Sequence, residues 1–388
     1  MPIRLSFRPQ STIGALTIRK HILPPEPAHE APERFITAPM SACLDLVRFG
    51  AALAVMVFHS AQAGLYSGPF PNLPMAQHYA VVVFFVLSGL VITASVQRRH
   101  GTLSDYAIAR AARIVPAAWI AIAFGTAAFL LAWAIGAPLL HHDRWGELSL
   151  KATLLPALFL SEGPMGTGPL WNPPYWSLVY EVWYYALFGA AVFLRGGRRI
   201  VWLLVLALLA GPKVLLMLPT WLVGAALAAT PLARRAGWRL GLVLLTAGLL
   251  AAWLHTKLVV SGITAMNAFA APLDLKLGFS RFALTDFLLG LAVATCFIGL
   301  RGLANRWPRL PLAVGRTAHE LAGFSFTLYL FHWPLLSLIK TFNLTAGTSA
   351  IGFAALLIGM TLCCYAISFI TERQRDVVKG WLLRWKAD

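Results

Sequence analysis

Arg48 and His59 stand eleven positions apart inside one apolar stretch, CLDLVRFGAALAVMVFHSAQAG at residues 43–64. In a helix that step ends within about 20° of three full turns and rises about 16.5 Å, so both side chains leave one face near opposite ends of a hydrocarbon layer. Asp45 shares the face one turn before Arg48, close enough to pair with it. Ionisable groups in a spanning helix cost roughly 2.5 to 3.5 kcal/mol each, so the stripe predicts a protein-lined cavity instead of a lipid contact. The chemistry on offer is a cation that holds an anion at one end and an imidazole that accepts a proton at the other.

Further polar residues sit in apolar surroundings. Arg110 and Arg113, three apart, share a helix face and could clamp one anionic group, and with Arg48 they make a trio that suits phosphates better than a single carboxylate. Glu181 in WSLVYE is followed one turn later by Tyr184 and Tyr185. Ser88 and Gly89 fall at half depth of VVVFFVLSGLVIT, where small residues permit close backbone approach. Ser325, Tyr329 and His332 follow one another along GFSFTLYLFHWPLL, and Pro334 there frees a backbone carbonyl. Asp286 is a second-rank candidate on depth alone. Blander readings stand beside each of these: glue between helices for the Glu and His, head-group anchoring for Arg110 and Arg113, and plain packing for His332.

These residues need a membrane scaffold. The chain of 388 residues is 59% hydrophobic and 12% charged, whereas soluble domains carry about 25% charged residues, so it reads as an all-α, multi-pass membrane protein. The net charge of +17 argues for no nucleic-acid partner, because the basic residues cluster in short connections between apolar runs. The 4 cysteines form neither a disulfide framework nor, with histidines, a metal-binding spacing. Residues 1–40, rich in proline and without an apolar run, are expected to be a disordered cytoplasmic tail and not a signal peptide.

At about 20 apolar residues per span, ten spans are expected: 43–62, 77–96, 114–135, 176–194, 200–216, 218–230, 239–256, 282–300, 322–341 and 349–370. The fifth and sixth are the weakest, interrupted by Pro212, Lys213 and Pro219, and Leu148 to Leu160 reads as an interfacial or re-entrant helix. Arginines crowd alternate connections, as at Arg98, Arg99, Arg110 and Arg113, then Arg195, Arg198 and Arg199, then Arg234, Arg235 and Arg239, which places both termini in the cytoplasm. With that orientation His59 lies about 6 Å, and Glu181 about 7.5 Å, below the outer edge of the hydrocarbon core. The two are expected as neighbours, the carboxylate keeping the imidazole oriented and basic. A basic cytoplasmic mouth, a polar passage and an acid/base pair near the outer face match a long ligand with phosphates at one end and a reactive group at the other, the shape of a coenzyme A thioester.

Taken together, LDLVRFGAALAVMVFH, FFVLSG at Phe84 to Gly89, the run from Arg110 to Pro116, WSLVYE at Trp176 to Glu181 and SFTLYLFHWP at Ser325 to Pro334 resemble the acyltransferase 3 family of bacterial integral membrane O-acyltransferases. The resemblance implies transfer of an acyl group, commonly acetyl, from cytoplasmic acyl-CoA to a hydroxyl of a cell-surface or periplasmic carbohydrate or glycolipid, in the bacterial inner membrane. His59 and Glu181 would be catalytic, with His59 relaying the acyl group or acting as base. Arg48, Arg110 and Arg113 would bind the donor, and Asp45, Ser88, Tyr184, Tyr329 and His332 would support the cavity. Residues 41–372 would form the acyltransferase domain and 373–388 a short basic cytoplasmic tail. No permanently bound cofactor or metal is expected. No GDS-type serine motif of a fused hydrolase-like domain is visible, so a stand-alone enzyme would finish the transfer itself or hand the group to a separate periplasmic partner. A transporter or flippase for a lipid-linked or acylated glycan is the competing class, and a binding-only assembly component a third; the lack of paired broken helices leans against the former.

Overall fold

In a computed structural model the described residues are 34–70, 75–98, 101–137, 148–163, 166–231, 233, 235–306 and 311–387. Most of the expected tail lies outside them, as do Arg99, Arg144, Arg234 and Arg309. Its last residues do not: Phe35 and Met40 are buried in one apolar cluster with Leu87 and Leu90 of the second helix.

The described residues are helical and contain no strand. α1 is Ala38–Gln62, α2 Ala76–Arg98, α3 Leu103–Ala134, α4 Leu150–Ala157, α5 Trp176–Phe193, α6 Gly196–Ala229 and α7 Trp238–His255. α8 is Val259–Ala270, α9 Ala283–Ala304, α10 Leu312–Ala322, α11 Ser325–Thr341, α12 Ala350–Ser368 and α13 Arg375–Ala387. All ten expected segments fall in these helices to within a few residues, and α4 is the short apolar helix expected at Leu148 to Leu160. Among the described residues, 7 helical stretches are long and apolar enough to cross a membrane, or 8 if α10 and α11, bent by 42°, count as one broken span, against the ten expected. α5 is not among them, its hydropathy held down by Glu181, three tyrosines and two tryptophans. α3 starts well before the expected 114, because Thr102 and Asp105 form a capping box there: Thr102 Oγ1 accepts from the Asp105 amide (3.2 Å) and Asp105 Oδ2 from the Thr102 amide (3.0 Å). Arg110 and Arg113 are thereby helical.

The fifth and sixth expected spans are the two halves of α6, divided at Gly211, whose φ of 77° only glycine adopts freely and which Pro212 follows. The chain reverses at this break. Tyr184 of α5 donates its hydroxyl to the Val214 carbonyl (3.1 Å), and Phe188, one turn on, packs on Trp221, so α5 and the second half of α6 run side by side in one direction. Residues 196–210 must climb back between them, about 22 Å at 1.5 Å per residue, which matches the roughly 20 Å descent from Tyr180 to Phe193.

The centre of the bundle is apolar and aromatic, drawn from α1, α2, α3, α5, α6 and α11. The outward faces are apolar too: Leu208 and Ile351 are 83% and 85% exposed, as lipid-facing residues are. Without a hydrophobic drive between helices in lipid, close packing of small residues has to supply cohesion. α2 and α6 show this most directly, since a Cβ at Gly89 would strike the Trp221 carbonyl and one at Gly224 the Val86 carbonyl. Gly224→Leu is therefore expected to destabilise the fold by about 1–3 kcal/mol. Gly359→Leu, with nothing within 4 Å of its Cβ, should leave the melting temperature in detergent close to that of the unsubstituted protein. Equal melting temperatures for all three in scanning fluorimetry would contradict this account of the α2–α6 contact.

Candidate functional site

Arg48 carries a guanidinium into the bundle and the surrounding helices answer it. Its Nε donates to Ser325 Oγ (2.9 Å), Nη2 donates to the Ala322 carbonyl, and Glu372 Oε1 stands 3.5 Å from Nη2. Ala322 and Ser325 flank the break between α10 and α11, where a carbonyl lacks a helical partner and can accept from a side chain. Glu372 also accepts from the amides of Phe326 (3.1 Å) and Thr327 (3.4 Å), so one carboxylate caps α11 and balances Arg48. The expected partner, Asp45, lies instead 4.0 Å from His319 of α10. The reason is reach: the long Arg48 side chain extends across to α11, while the short Asp45 side chain stays near the beginning of α1.

From Arg48 a cavity of about 200 Å³ opens between α1, α2, α5 and α11. Asp45, Arg48, Ser88, Arg113, Ser177, Glu181, Tyr185 and Tyr329 supply its polar wall. Glu181 accepts a short hydrogen bond from the Tyr185 hydroxyl, that oxygen lies 3.0 Å from Ser88 Oγ, and Ser88 in turn accepts from Trp221 Nε1 (3.1 Å). Tyr185 takes the place expected of Tyr184. A four-residue step from Glu181 stays within about 40° on one helix face, whereas a three-residue step turns about 60° the other way, and Tyr184 faces Val214 and Trp221.

Glu181 is thus at the arginine end, and the expected pairing with His59 is not formed. Counting depth from Trp176 puts Glu181 too far out, because α5 does not begin at the membrane edge. Leu170, Trp171, Asn172 and Tyr175 are all buried, Asn172 Nδ2 donates to the Leu330 carbonyl (2.9 Å) and Tyr175 to the Pro156 carbonyl (3.0 Å), so the chain has dipped into the bundle before the helix starts. Ser177 then meets the Tyr329 hydroxyl (2.6 Å), and Glu181 comes one turn nearer Ser325.

His59 has another partner. Its Nδ1 lies 2.9 Å from Nε2 of His332, and His332 Nδ1 lies 2.6 Å from the Tyr329 carbonyl. A carbonyl only accepts, so His332 Nδ1 carries the proton. In the neutral ring Nε2 is then an acceptor, His59 Nδ1 must donate to it, and His59 Nε2 is left with its lone pair. The two rings lie parallel, 5° apart, and Trp333 meets His59 edge-on at 4.7 Å. His332 is fully buried while His59 is only partly so, which makes His59 the member able to touch a substrate. His59 is not on the cavity wall. The link is Tyr329, which lines the cavity, whose hydroxyl donates to the Pro174 carbonyl (3.0 Å) and whose own carbonyl orients His332 one turn further along α11.

Arg110 and Arg113 share a face of α3, as their spacing requires, and both line a wider basic cavity beside the first, Arg113 lining both. The Arg110 guanidinium lies over the Tyr185 ring at 5.9 Å. Asp286 belongs elsewhere: it is buried with His78 at 2.9 Å, between α2 and α9. Glu372 and Ser177 are the residues that the sequence did not mark. Glu372 follows the last apolar run among arginines, and only its place at the start of α11 reveals its use.

A family model described as an acyltransferase domain matches residues 41–369. No curated protein and no solved structure matches the chain.

Removing the charge that faces Arg48 leaves a cation with one partner fewer, while the side-chain oxygen of a glutamine can still accept at the start of α11. Glu372→Gln should therefore cost about 1–3 kcal/mol, less than the loss of one member of a fully buried pair, because Arg48 and Glu372 are partly buried. Thermal unfolding in detergent measures it, and a melting temperature unchanged from the parent would assign Glu372 no such part.

Proposed function

Because the chain belongs to the acyltransferase 3 family of membrane acyltransferases, we propose that it moves an acyl group, most simply acetyl, from acyl-CoA to a carbohydrate hydroxyl. The donor enters from the end where α1 and α3 begin, the cytoplasmic side on the positive-inside rule, in what the family implies is a bacterial inner membrane. The acceptor is a cell-surface or periplasmic glycan, or a glycolipid, at the opposite face.

One observation carries this reading: the hydrogen-bond chain from the Tyr329 carbonyl through His332 to His59 leaves the unprotonated Nε2 of His59 one helical turn beyond a cavity that begins at arginines. A neutral imidazole held in a single tautomer is what a general base needs. Nε2 takes the proton of the acceptor hydroxyl as its oxygen attacks the thioester carbonyl. The carbon–sulfur bond breaks, and the CoA thiolate leaves and is protonated from solvent. His332 is a positioning residue and does not touch the substrate. Arg113 and Arg110 hold donor phosphates. Arg48, satisfied by Ser325, Ala322 and Glu372, sets the floor of the cavity, and Glu181 with Tyr185 balances the arginine charge and shapes the passage at Ser88. Handing the acyl group to a separate periplasmic partner would use the same arrangement.

The purified full chain in detergent with labelled acetyl-CoA and the glycan fraction of a deletion strain is the direct test. His59→Ala should abolish CoA release and acetylation, His332→Ala should lower kcat by roughly 10²-fold or more through loss of the oriented base, and Arg113→Ala should raise KM with the fold intact. Undiminished turnover by His59→Ala would refute the assignment.

A further inference from the structure

The last residues of the chain, expected as a basic tail, are the helix α13, and it lies along the start of α3, where Lys386 Nζ meets Asp105 at 2.8 Å. Between α13 and α3 is a cavity of about 530 Å³, lined by Arg98, Arg110, Arg113, Arg375 and Lys379. Two carboxylates share that wall and both are engaged, Asp105 with Lys386 and the Thr102 amide, Asp376 with Arg375 at 3.2 Å. Positive charge is left in excess. Among the described residues the buried Arg110 Nε has no hydrogen-bond partner, a donor unused beside the Tyr185 ring over which its guanidinium lies. The space is of the size that accepts a nucleotide, since sites for ligands of that class run about 300–1,000 Å³. It borders the inner cavity, with Ser95, Arg98 and Arg113 lining both.

The two faces of α13 differ. Arg375, Lys379 and Leu383 follow one another at four-residue steps on the cavity side. Trp381 and Trp385, 50% and 71% exposed, form a second row roughly 140° around the helix. Tryptophans in such a row anchor a helix at the membrane interface, and the basic row is left facing the cavity.

We propose that α13 is a wall of the donor site and that Arg375 and Lys379 bind the phosphates at the 3′-phosphoadenosine end of acyl-CoA, while the pantetheine arm enters the inner cavity past Arg113. This rests on acyl-CoA being the donor. The recognising chemistry is a cluster of phosphates held by converging cations, which an anionic lipid head group also offers, so the test separates the two.

Binding of adenosine 3′,5′-bisphosphate to the purified full chain is measured by titration calorimetry in detergent and again in phosphatidylglycerol nanodiscs. Arg375→Ala and Lys379→Ala are each expected to weaken it about tenfold, the value of one charge-assisted contact, in both settings, with Arg375→Lys regaining part of the loss. In turnover the same variants should raise KM for acetyl-CoA and leave KM for acetyl-pantetheine unchanged. Equal bisphosphate binding by parent and variants, no binding by the parent, or a difference between them that appears only in phosphatidylglycerol would overturn the proposal. Absence of turnover with either donor would defeat the transfer reading, while bisphosphate binding that the variants lose would still uphold the site on α13.

Discussion

A guanidinium inside an apolar helix must be satisfied by protein, and much of the bundle can be understood from how Arg48 is answered. The carbonyl of Ala322 is available to it because α10 ends there, and the Ser325 hydroxyl because α11 begins there. The 42° bend between those helices is therefore part of the site and not a defect in a span. Glu372, arriving from beyond α12, closes the arrangement by balancing the charge and capping α11. One ion pair thus ties the first span to the last segment of the matched domain's surroundings and fixes α11, the helix that bears Tyr329 and His332.

α11 is then the element that joins the two chemistries. Tyr329 lines the cavity and offers its carbonyl to His332, so the cavity wall and the tautomer of the imidazole pair share one residue. A second histidine does the orienting that a carboxylate does in many acid/base sites. It does so without placing a charge deep in the membrane, where an ionised group is costly. The carboxylate of Glu181 sits instead where cations are available to balance it.

Helical periodicity made much of this legible. The common face of Arg48 and His59, the shared face of Arg110 and Arg113, and the nearness of Ser88 and Tyr329 to a polar cavity all follow from 100° per residue and apolar surroundings. Position along the membrane normal was less readable. Glu181 lies deeper than its count from the first apolar residue gives, because that count assumes a helix that starts at the lipid surface, and the buried turn at Trp171 to Tyr175 violates that. Tyr184 and Tyr185 differ by one position, and only packing on Val214 decides between them. Glu372 and α13 were hidden for another reason: basic residues after the last span have an adequate explanation as orientation signals, and nothing local announces that they fold back onto α3 and α11.

The central claim is that a thioester admitted at the arginines is presented to His59 Nε2 with His332 behind it. The most direct measurement is a cryo-electron microscopy structure of the full chain with a non-transferable thioether analogue of acetyl-CoA. The account predicts the analogue's phosphates at Arg110 and Arg113, its arm passing Tyr329, and its carbonyl close enough to His59 Nε2 for an attacking hydroxyl to bridge them. An analogue seated with its carbonyl away from His59, or a His59 that has left His332 to pair with another group, would contradict it.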